Sequence, residues 1–410
     1  MSITTAIIIL VGMLLFTILI YKDFMSPASL MLIPWTLAFL LLKFSDFYYR
    51  EKDSANTYMI MGIVLFQIMY FFSLKSKRKK NIIEKRNEKQ FLYNKLSING
   101  FLLTCVSVVE TVVLFPYAIK LWQGSDVILA FEYVRQIAIV LFIMILYLYY
   151  KLPNEKANRK YVLIQGIPFI LALLLKSNGR AAYFQVGFML LFVYLSFNGY
   201  NNRLILKRFI QLMVIFFALF IYVAIRKKHI AEGSTIFIFE QAYNWIIHYF
   251  SGSLVAFQMW FKSSKCYFNF GQNTFRIFYA IANRYISSNI EVVSTYFPFL
   301  KIGPRLESIA NVYTIYYTYI IDFGKVGGLL IQAILGWFYG YIYWKKDRNQ
   351  MGDVLLFSVM IYPLIMQVFG DQYVALESGY MQIYLVYFVF HKCGILYKNG
   401  NKNCLKYFKF

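Results

Sequence analysis

Charge is what this chain has little of. Only 15% of its 410 residues are Asp, Glu, Lys or Arg, and 19 acids face 42 bases. Histidine is scarcer still, with three in all, alongside four cysteines and eight prolines. Three histidines and isolated acids cannot assemble a hydrolase triad or a metal cluster. No P-loop, dinucleotide fingerprint or zincin motif is present either, so no cofactor is expected. The cysteines stand apart: Cys105 inside an apolar run, Cys266 alone, Cys393 and Cys404 near the C-terminus. None has metal-ligand spacing, and no disulfide framework is implied. Internal repeats and low-complexity segments are also lacking, which argues against transporters built from two similar halves. The first apolar run has no basic n-region and no small-residue cleavage site, so a cleavable leader is not expected.

What fills the chain is apolar. Hydrophobic residues make up 60% and aromatics 20%, and the mean hydropathy is +0.55. The runs are apolar all round, where a soluble helix would show one polar face. Candidate spans are Thr4–Tyr21, Ala28–Leu42, Thr57–Leu74, Ile98–Tyr117, Val134–Tyr150, Tyr161–Leu175, Ala181–Phe197, Phe209–Ile225, Val326–Trp344, Val354–Phe369 and Tyr380–Leu396. At about 1.5 Å per residue they cross a hydrocarbon core of about 30 Å, flanking aromatics extending the shorter ones. The fold class predicted is all-α, a polytopic transmembrane helix bundle of about eleven spans.

The net charge of +23 invites a nucleic-acid partner. Its placement says otherwise, because the bases sit in short loops at helix ends, where they set topology. Lys75 to Lys95 carries nine Lys and Arg and must be cytoplasmic. Alternation from there puts 156–160, 203–208, 345–348 and the tail after Lys392 on the same side. The N-terminus is then outside and the C-terminus inside. Three regions follow: spans 1–8 over 1–225, a large extracytoplasmic loop over 226–308, and a re-entrant segment with spans 9–11 over 309–410. Connections this long are usually functional. Within the loop, Phe237–Phe261 and Phe275–Ile286 read as amphipathic helices lying against the membrane surface.

Four groups of residues have the chemistry for a site. Arg180 opens a helix after the outer turn Lys176–Gly179, where a guanidinium and free backbone N–H groups welcome an anion. Snorkelling to headgroup phosphates is the plainer reading. Glu240, Asn244 and His248 recur at spacing four, so a carboxylate and an imidazole share one helical stripe and suit a general base. The same stripe also suits the polar face of an interfacial helix. Arg276 and Arg284 share a face through Ala280, with Lys301 and Arg305 beyond. Guanidinium groups bind phosphate oxygens in pairs. Last, Asn311-Val312-Tyr313-Thr314 leads to Asp322-Phe323-Gly324 just before a span, as if a helix dips in from outside. Asp322, and Glu110 inside the fourth span, are acids at membrane depth, which are functional or hydrogen-bonded to a neighbouring helix.

In layout the chain resembles the Wzy-type polymerases of O-antigen and capsular polysaccharide, which join oligosaccharide repeat units. Local matches carry the resemblance. They are Asp23-Phe24-Met25-Ser26-Pro27 with Trp35, Ser177-Asn178-Gly179-Arg180, Tyr249-Phe250-Ser251-Gly252, Gly271-Gln272-Asn273-Thr274-Phe275-Arg276, and Asn311-Val312-Tyr313-Thr314 with Asp322-Phe323-Gly324. One departure is Leu191, where some members carry glycine eleven residues after the arginine.

The resemblance implies a metal-independent glycosyl transfer at the outer face of a bacterial cytoplasmic (inner) membrane. A growing glycan would pass from undecaprenyl pyrophosphate to a new lipid-linked repeat unit. Arg180, Arg276, Arg284 and Arg305 would hold the pyrophosphate, Asn311 and Tyr313 would contact substrate, and His248, Glu240 or Asp322 would act as base. Partners implied are the lipid-linked oligosaccharides, the bilayer, a chain-length regulator and a flippase, with no nucleic acid. Two alternatives stay open: an outer-face glycosyltransferase or O-antigen ligase, and a flippase of lipid-linked sugars.

Overall fold

The computed structural model describes residues 1–49, 51–84, 96–122, 132–151, 156–175, 180–198, 207, 210–211, 235–263, 268–287, 289–293, 298–304, 308–346, 351–375, 377–392 and 396–398. The described chain is mostly helical, as its apolar runs require. The helices are α1 (Ile3–Tyr21), α2 (Pro27–Leu42), α3 (Ser54–Glu84), α4 (Gly100–Trp122), α5 (Glu132–Lys151), α6 (Lys156–Leu174), α7 (Arg180–Asn198), α8 (Thr235–Ser263), α9 (Arg276–Tyr285), α10 (Tyr316–Lys346), α11 (Met351–Ile365), the short α12 (Gln372–Ala375) and α13 (Glu377–Lys392). Among the described residues, four short strands pair in two antiparallel ribbons: β1 (Leu96–Ile98) with β4 (Leu396–Lys398), and β2 (Leu300–Lys301) with β3 (Ile309–Ala310).

Among the described residues, five stretches are long and apolar enough to cross a bilayer: Ile3–Tyr21, Ser54–Lys75, Gly100–Lys120, Tyr316–Lys346 and Met351–Val368. This is a helical membrane protein. Shorter apolar helices cover Pro27–Leu42, Val134–Tyr150, Tyr183–Ser196 and Tyr380–Val389. The expected span Phe209–Ile225 lies almost wholly outside the described residues.

Helix ends follow local rules. Ser26 caps α2 by accepting from the Ser29 N–H at 3.3 Å, and Pro27 takes the first helical position, where its missing donor costs nothing. Just upstream, Asp23 accepts from the Met25 N–H at 2.9 Å, closing the turn that joins α1 to α2. α10 is one run broken at Gly324, whose φ of 70° and ψ of 177° a side chain would resist.

The chain divides into two compact units. The first comprises Met1–Lys77, Tyr200–Trp344 and Met360–Glu377; the second comprises Arg78–Gly199, Lys345–Val359 and Ser378–Phe410. In the first, α3 and α10 approach to backbone contact. A Cβ at Gly340 would lie 2.8 Å from the Tyr70 carbonyl oxygen, and Gly336 meets the Phe66 backbone in the same way. Small residues are what let helices come this close without a water-driven force.

One expectation is corrected here. The stretch Phe237–Phe261 was expected to lie on the membrane surface. Instead, Ser251, Leu254, Val255, Ala256 and Phe257 of α8 are fully buried inside the first unit. The small residues at 251–253 and 256 remove the bulk that would hold α8 away, and three of its polar groups find internal partners. Ser251 Oγ donates to the Ala38 carbonyl at 3.3 Å, Ser253 Oγ to the Val368 carbonyl at 2.6 Å, and Gln258 Nε2 to Asn56 Oδ1 at 2.7 Å. Ser251, which continues the Glu240–Asn244–His248 stripe by one turn, is one of the groups that seat the helix in protein.

Candidate functional site

Several of the sequence-predicted residues of the first unit fall in two neighbourhoods. In one, Asp322 is fully buried and its carboxylate receives four donors. Oδ1 accepts from the Asn273 N–H at 3.2 Å and from Asn273 Nδ2 at 2.8 Å. Oδ2 accepts from the Thr274 N–H and the Thr274 hydroxyl, each at 2.6 Å. A fifth bond runs from the Asn269 N–H to the Ile321 carbonyl at 3.1 Å. The loop 269–274 is thereby tied to the end of α10 just before its break, and Arg276 begins α9 two residues beyond the clamp.

The loop's own geometry demands this. Phe270 and Gly271 have φ of 47° and 79°, and a Cβ on Gly271 would lie 2.7 Å from the Phe275 ring and 3.2 Å from the Phe323 ring. Gly271 takes a positive φ without cost, but Phe270 is strained there unless tertiary bonds hold it. A carboxylate offers about four lone-pair sites, so Asp322 has none left for a substrate proton in this arrangement.

The second neighbourhood surrounds Gly252 on α8. A Cβ there would lie 3.1 Å from Ile302, 3.9 Å from Ala310 and 3.9 Å from His248 Nε2. The β2–β3 hairpin and the imidazole thus flank the same glycine, and Asn311 follows directly on β3. The His248 ring meets Phe47 edge-on, with centroids 5.7 Å apart, and the Tyr48 N–H donates to the Ile302 carbonyl at 2.8 Å. His248 and Asn311 are both half-buried. Tyr313 is buried; its hydroxyl donates to the Pro298 carbonyl at 3.0 Å and its ring stacks on Tyr317 at 4.3 Å.

Other candidates fall elsewhere. Arg284 is exposed on α9, its guanidinium 5.6 Å from the Tyr285 ring centroid. Arg180 opens α7 in the second unit, but its side chain and that of Glu240 in α8 lie outside the described residues. Arg305 lies outside them altogether. Among the described residues no three of His, Cys, Asp and Glu converge as metal ligands.

Sequence reasoning passed over Asp371. It is buried beside the Asn311–Thr314 segment: a Cβ on Gly370 would lie 3.3 Å from the Tyr313 carbonyl oxygen. Asp371 Oδ1 accepts from the Tyr373 N–H at 2.9 Å, and its side chain also bonds Tyr319. The available signal was an acid directly after Gly370, at the end of an apolar run.

Comparison of the chain with protein-family models, with curated proteins and with solved structures finds no match.

Proposed function

We propose that the chain polymerises lipid-linked oligosaccharide repeat units of an O-antigen or capsular polysaccharide. The growing glycan moves from undecaprenyl pyrophosphate to an incoming lipid-linked unit at the outer face of a bacterial cytoplasmic membrane. The chain crosses that membrane about eleven times, with the N-terminus outside and the C-terminus in the cytoplasm. Support comes from the resemblance of five short segments, and one observation carries it furthest. Gly271–Arg276 and Asp322–Gly324, two of those segments, are joined by Asn273 and Asp322 across 49 residues of sequence. Segments matched independently are one hydrogen-bonded assembly.

In the transfer, the acceptor hydroxyl oxygen attacks the anomeric carbon, the bond to the pyrophosphate oxygen breaks, and a base takes the hydroxyl proton. Arg276 stands where the clamp fixes the chain, and it stabilises the departing pyrophosphate. His248 or Glu240 takes the proton, and Asn311 and Tyr313 contact substrate. Asp322 holds the Arg276 turn in shape, because its acceptor sites are already filled.

Deleting the gene and resolving the surface glycan on a gel tests the function. Collapse of the ladder to a single repeat unit, with attachment to the surface intact, is the expected outcome. Loss of all glycan with lipid-linked units accumulating inside would mean a flippase or an upstream transferase. Loss of attachment alone would mean a ligase. For the residues, Arg276→Lys should lose most ladder formation although the charge stays, because the paired donor geometry is gone. Full turnover of His248→Ala across about pH 6 to 8 would remove the imidazole from the scheme.

A further inference from the structure

Helix α9 is ten residues long, about 15 Å, and cannot cross a bilayer. None of its residues is buried. Its exposed apolar residues follow helical spacing: Phe278 is 55% exposed, Ile281 49% and Tyr285 75%, with Ile286 at 80% just beyond. Phe268, Phe270 and Phe275, ahead of the helix, are exposed as well, and the Phe275 ring meets that of Phe278 at 6.5 Å. The opposite side holds Arg276 and Ala280, and Arg284 stands at the stripe's edge. A third sector ties the helix to its own loop, where Tyr279 donates to the Phe270 carbonyl at 3.2 Å and Asn283 to the Ile290 carbonyl at 2.6 Å.

The height of α9 is set by Asp322. Beyond the break at Gly324, α10 exposes Val326, Leu330, Ile334 and Trp337 along one stripe. Inside a helix that crosses a bilayer, that stripe faces lipid. Val326 is four residues after Asp322, so even across the break at Gly324 at most about 14 Å of chain separates them. The clamp from Asp322 to Asn273 and Thr274 therefore holds the start of α9 where the hydrocarbon ends and the headgroups begin.

We infer that α9 is an interfacial anchor. Its Phe278–Ile281–Tyr285 stripe enters the bilayer surface at the Asp322 end of α10, and Arg284 pairs with lipid phosphate at the stripe's edge. A 10-residue amphipathic helix with cationic flanks fits that boundary, and the arginine stem can reach up to the phosphates. The clamp then gives the neighbouring loop a fixed depth. Two left-handed residues held by a fully engaged carboxylate make a stiff mount rather than a hinge.

The test uses the full chain with Cys105, Cys266, Cys393 and Cys404 replaced by serine, reconstituted in phosphatidylcholine vesicles with or without phosphatidylglycerol. Single cysteines at positions 278, 280, 281 and 285 carry a nitroxide. Expected is preferential collision with oxygen at Phe278, Ile281 and Tyr285, and with a water-soluble nickel chelate at Ala280. Adding Arg284→Gln should lower the inserted population at 281 about fivefold in vesicles containing phosphatidylglycerol, and little in the others.

Equal access of the chelate to 280 and 281 overturns the anchor. So does a label at 281 that neither reagent reaches, which would place a protein surface over the stripe. A label at 281 displaced by inorganic pyrophosphate, with no dependence on phosphatidylglycerol, would give Arg284 to substrate instead. Depth-dependent quenching of Tyr285→Trp by brominated lipid checks the result without the cysteine background. The readout is depth alone, so it stands or falls apart from any polymerase activity.

Discussion

The two units bury their acids to different ends. In the first, Asp322 sits at a helix break and spends all four acceptor sites on a loop 48 and 49 residues away in sequence. In the second, Glu110 lies mid-helix in α4 and bonds only to a neighbouring helix. Gln165 of α6 donates to Glu110 Oε2 at 2.5 Å, and Ser107 Oγ donates to Gln165 Oε1. Leu103, Ser107, Glu110 and Leu114 form the buried stripe of α4, while Val108, Val112, Phe115 and Ile119 face outward. An acid that closes a loop needs many backbone donors; an acid that registers two apolar helices needs one good partner.

Substituting each carboxylate by its amide separates these roles. Asp322→Asn and Asp322→Ala should be similarly damaging, since an amide turns an acceptor into a donor facing Thr274. Bonds to a charged group contribute about 1.5–3 kcal/mol each, so losing two opens the loop by about 3 kcal/mol or more. Amide exchange at Asn273 and Thr274 should rise on the order of 10²-fold. Unchanged protection in both variants would mean that the clamp is dispensable and that the two acids do not differ.

A smaller effect tests the other side. Glu110→Ala leaves Gln165 with an unpaired donor and should cost about 1–3 kcal/mol, read as a lower melting temperature in detergent. Glu110→Gln keeps an oxygen for that donor and removes an ionisable group from the interior, so it should be neutral or stabilising. A Gln variant as unstable as Ala would show that the second unit also needs its charge.

Packing gives a third, narrower contrast. Gly336→Ala should destabilise by about 1–3 kcal/mol, because the new methyl meets the Phe66 backbone, which cannot move aside. Gly12→Ala on α1, with open space around it, should not. Equal melting temperatures for the two would mean that α3 and α10 are further apart than described.

Smallest is the surface pair at Glu51. Slight burial pushes its carboxyl upward, but bonds from Thr4 and the nearby Lys43 ammonium outweigh this and hold it below its ordinary 4.5. The Lys43–Glu51 contact is 3.4 Å. A depressed folded value means the contribution is fully present above 4.5 and fades as pH falls through the lower value. The stability of Glu51→Gln should therefore match the parent's at acid pH and fall slightly below it near neutrality. A difference that grows on acidification would reverse the sign and refute the pairing.

Much of the molecule was determined by sequence alone. Apolar runs without internal charge have one stable form in a bilayer, since every backbone group must bond within its own segment. Accordingly α1 to α7, α10, α11 and α13 stand close to where hydropathy put them. Caps such as Ser26-Pro27 are equally local, and so was the kink, because Gly324 follows an acid in an aromatic run. Asp322 was legible too, as an acid in apolar surroundings, and the structure buries it and fills its acceptor sites.

What only tertiary structure decided was which surface each segment turned towards. The helical periodicity of α8 is the same whether its serines meet water or the carbonyls of Ala38 and Val368, so the pattern could not choose between membrane surface and protein core. Nor does a lone Asp declare its partners. Asp322 became a clamp because folding brought four donors of 273 and 274 to it, and proximity across 49 residues is a property of packing rather than of any local signal.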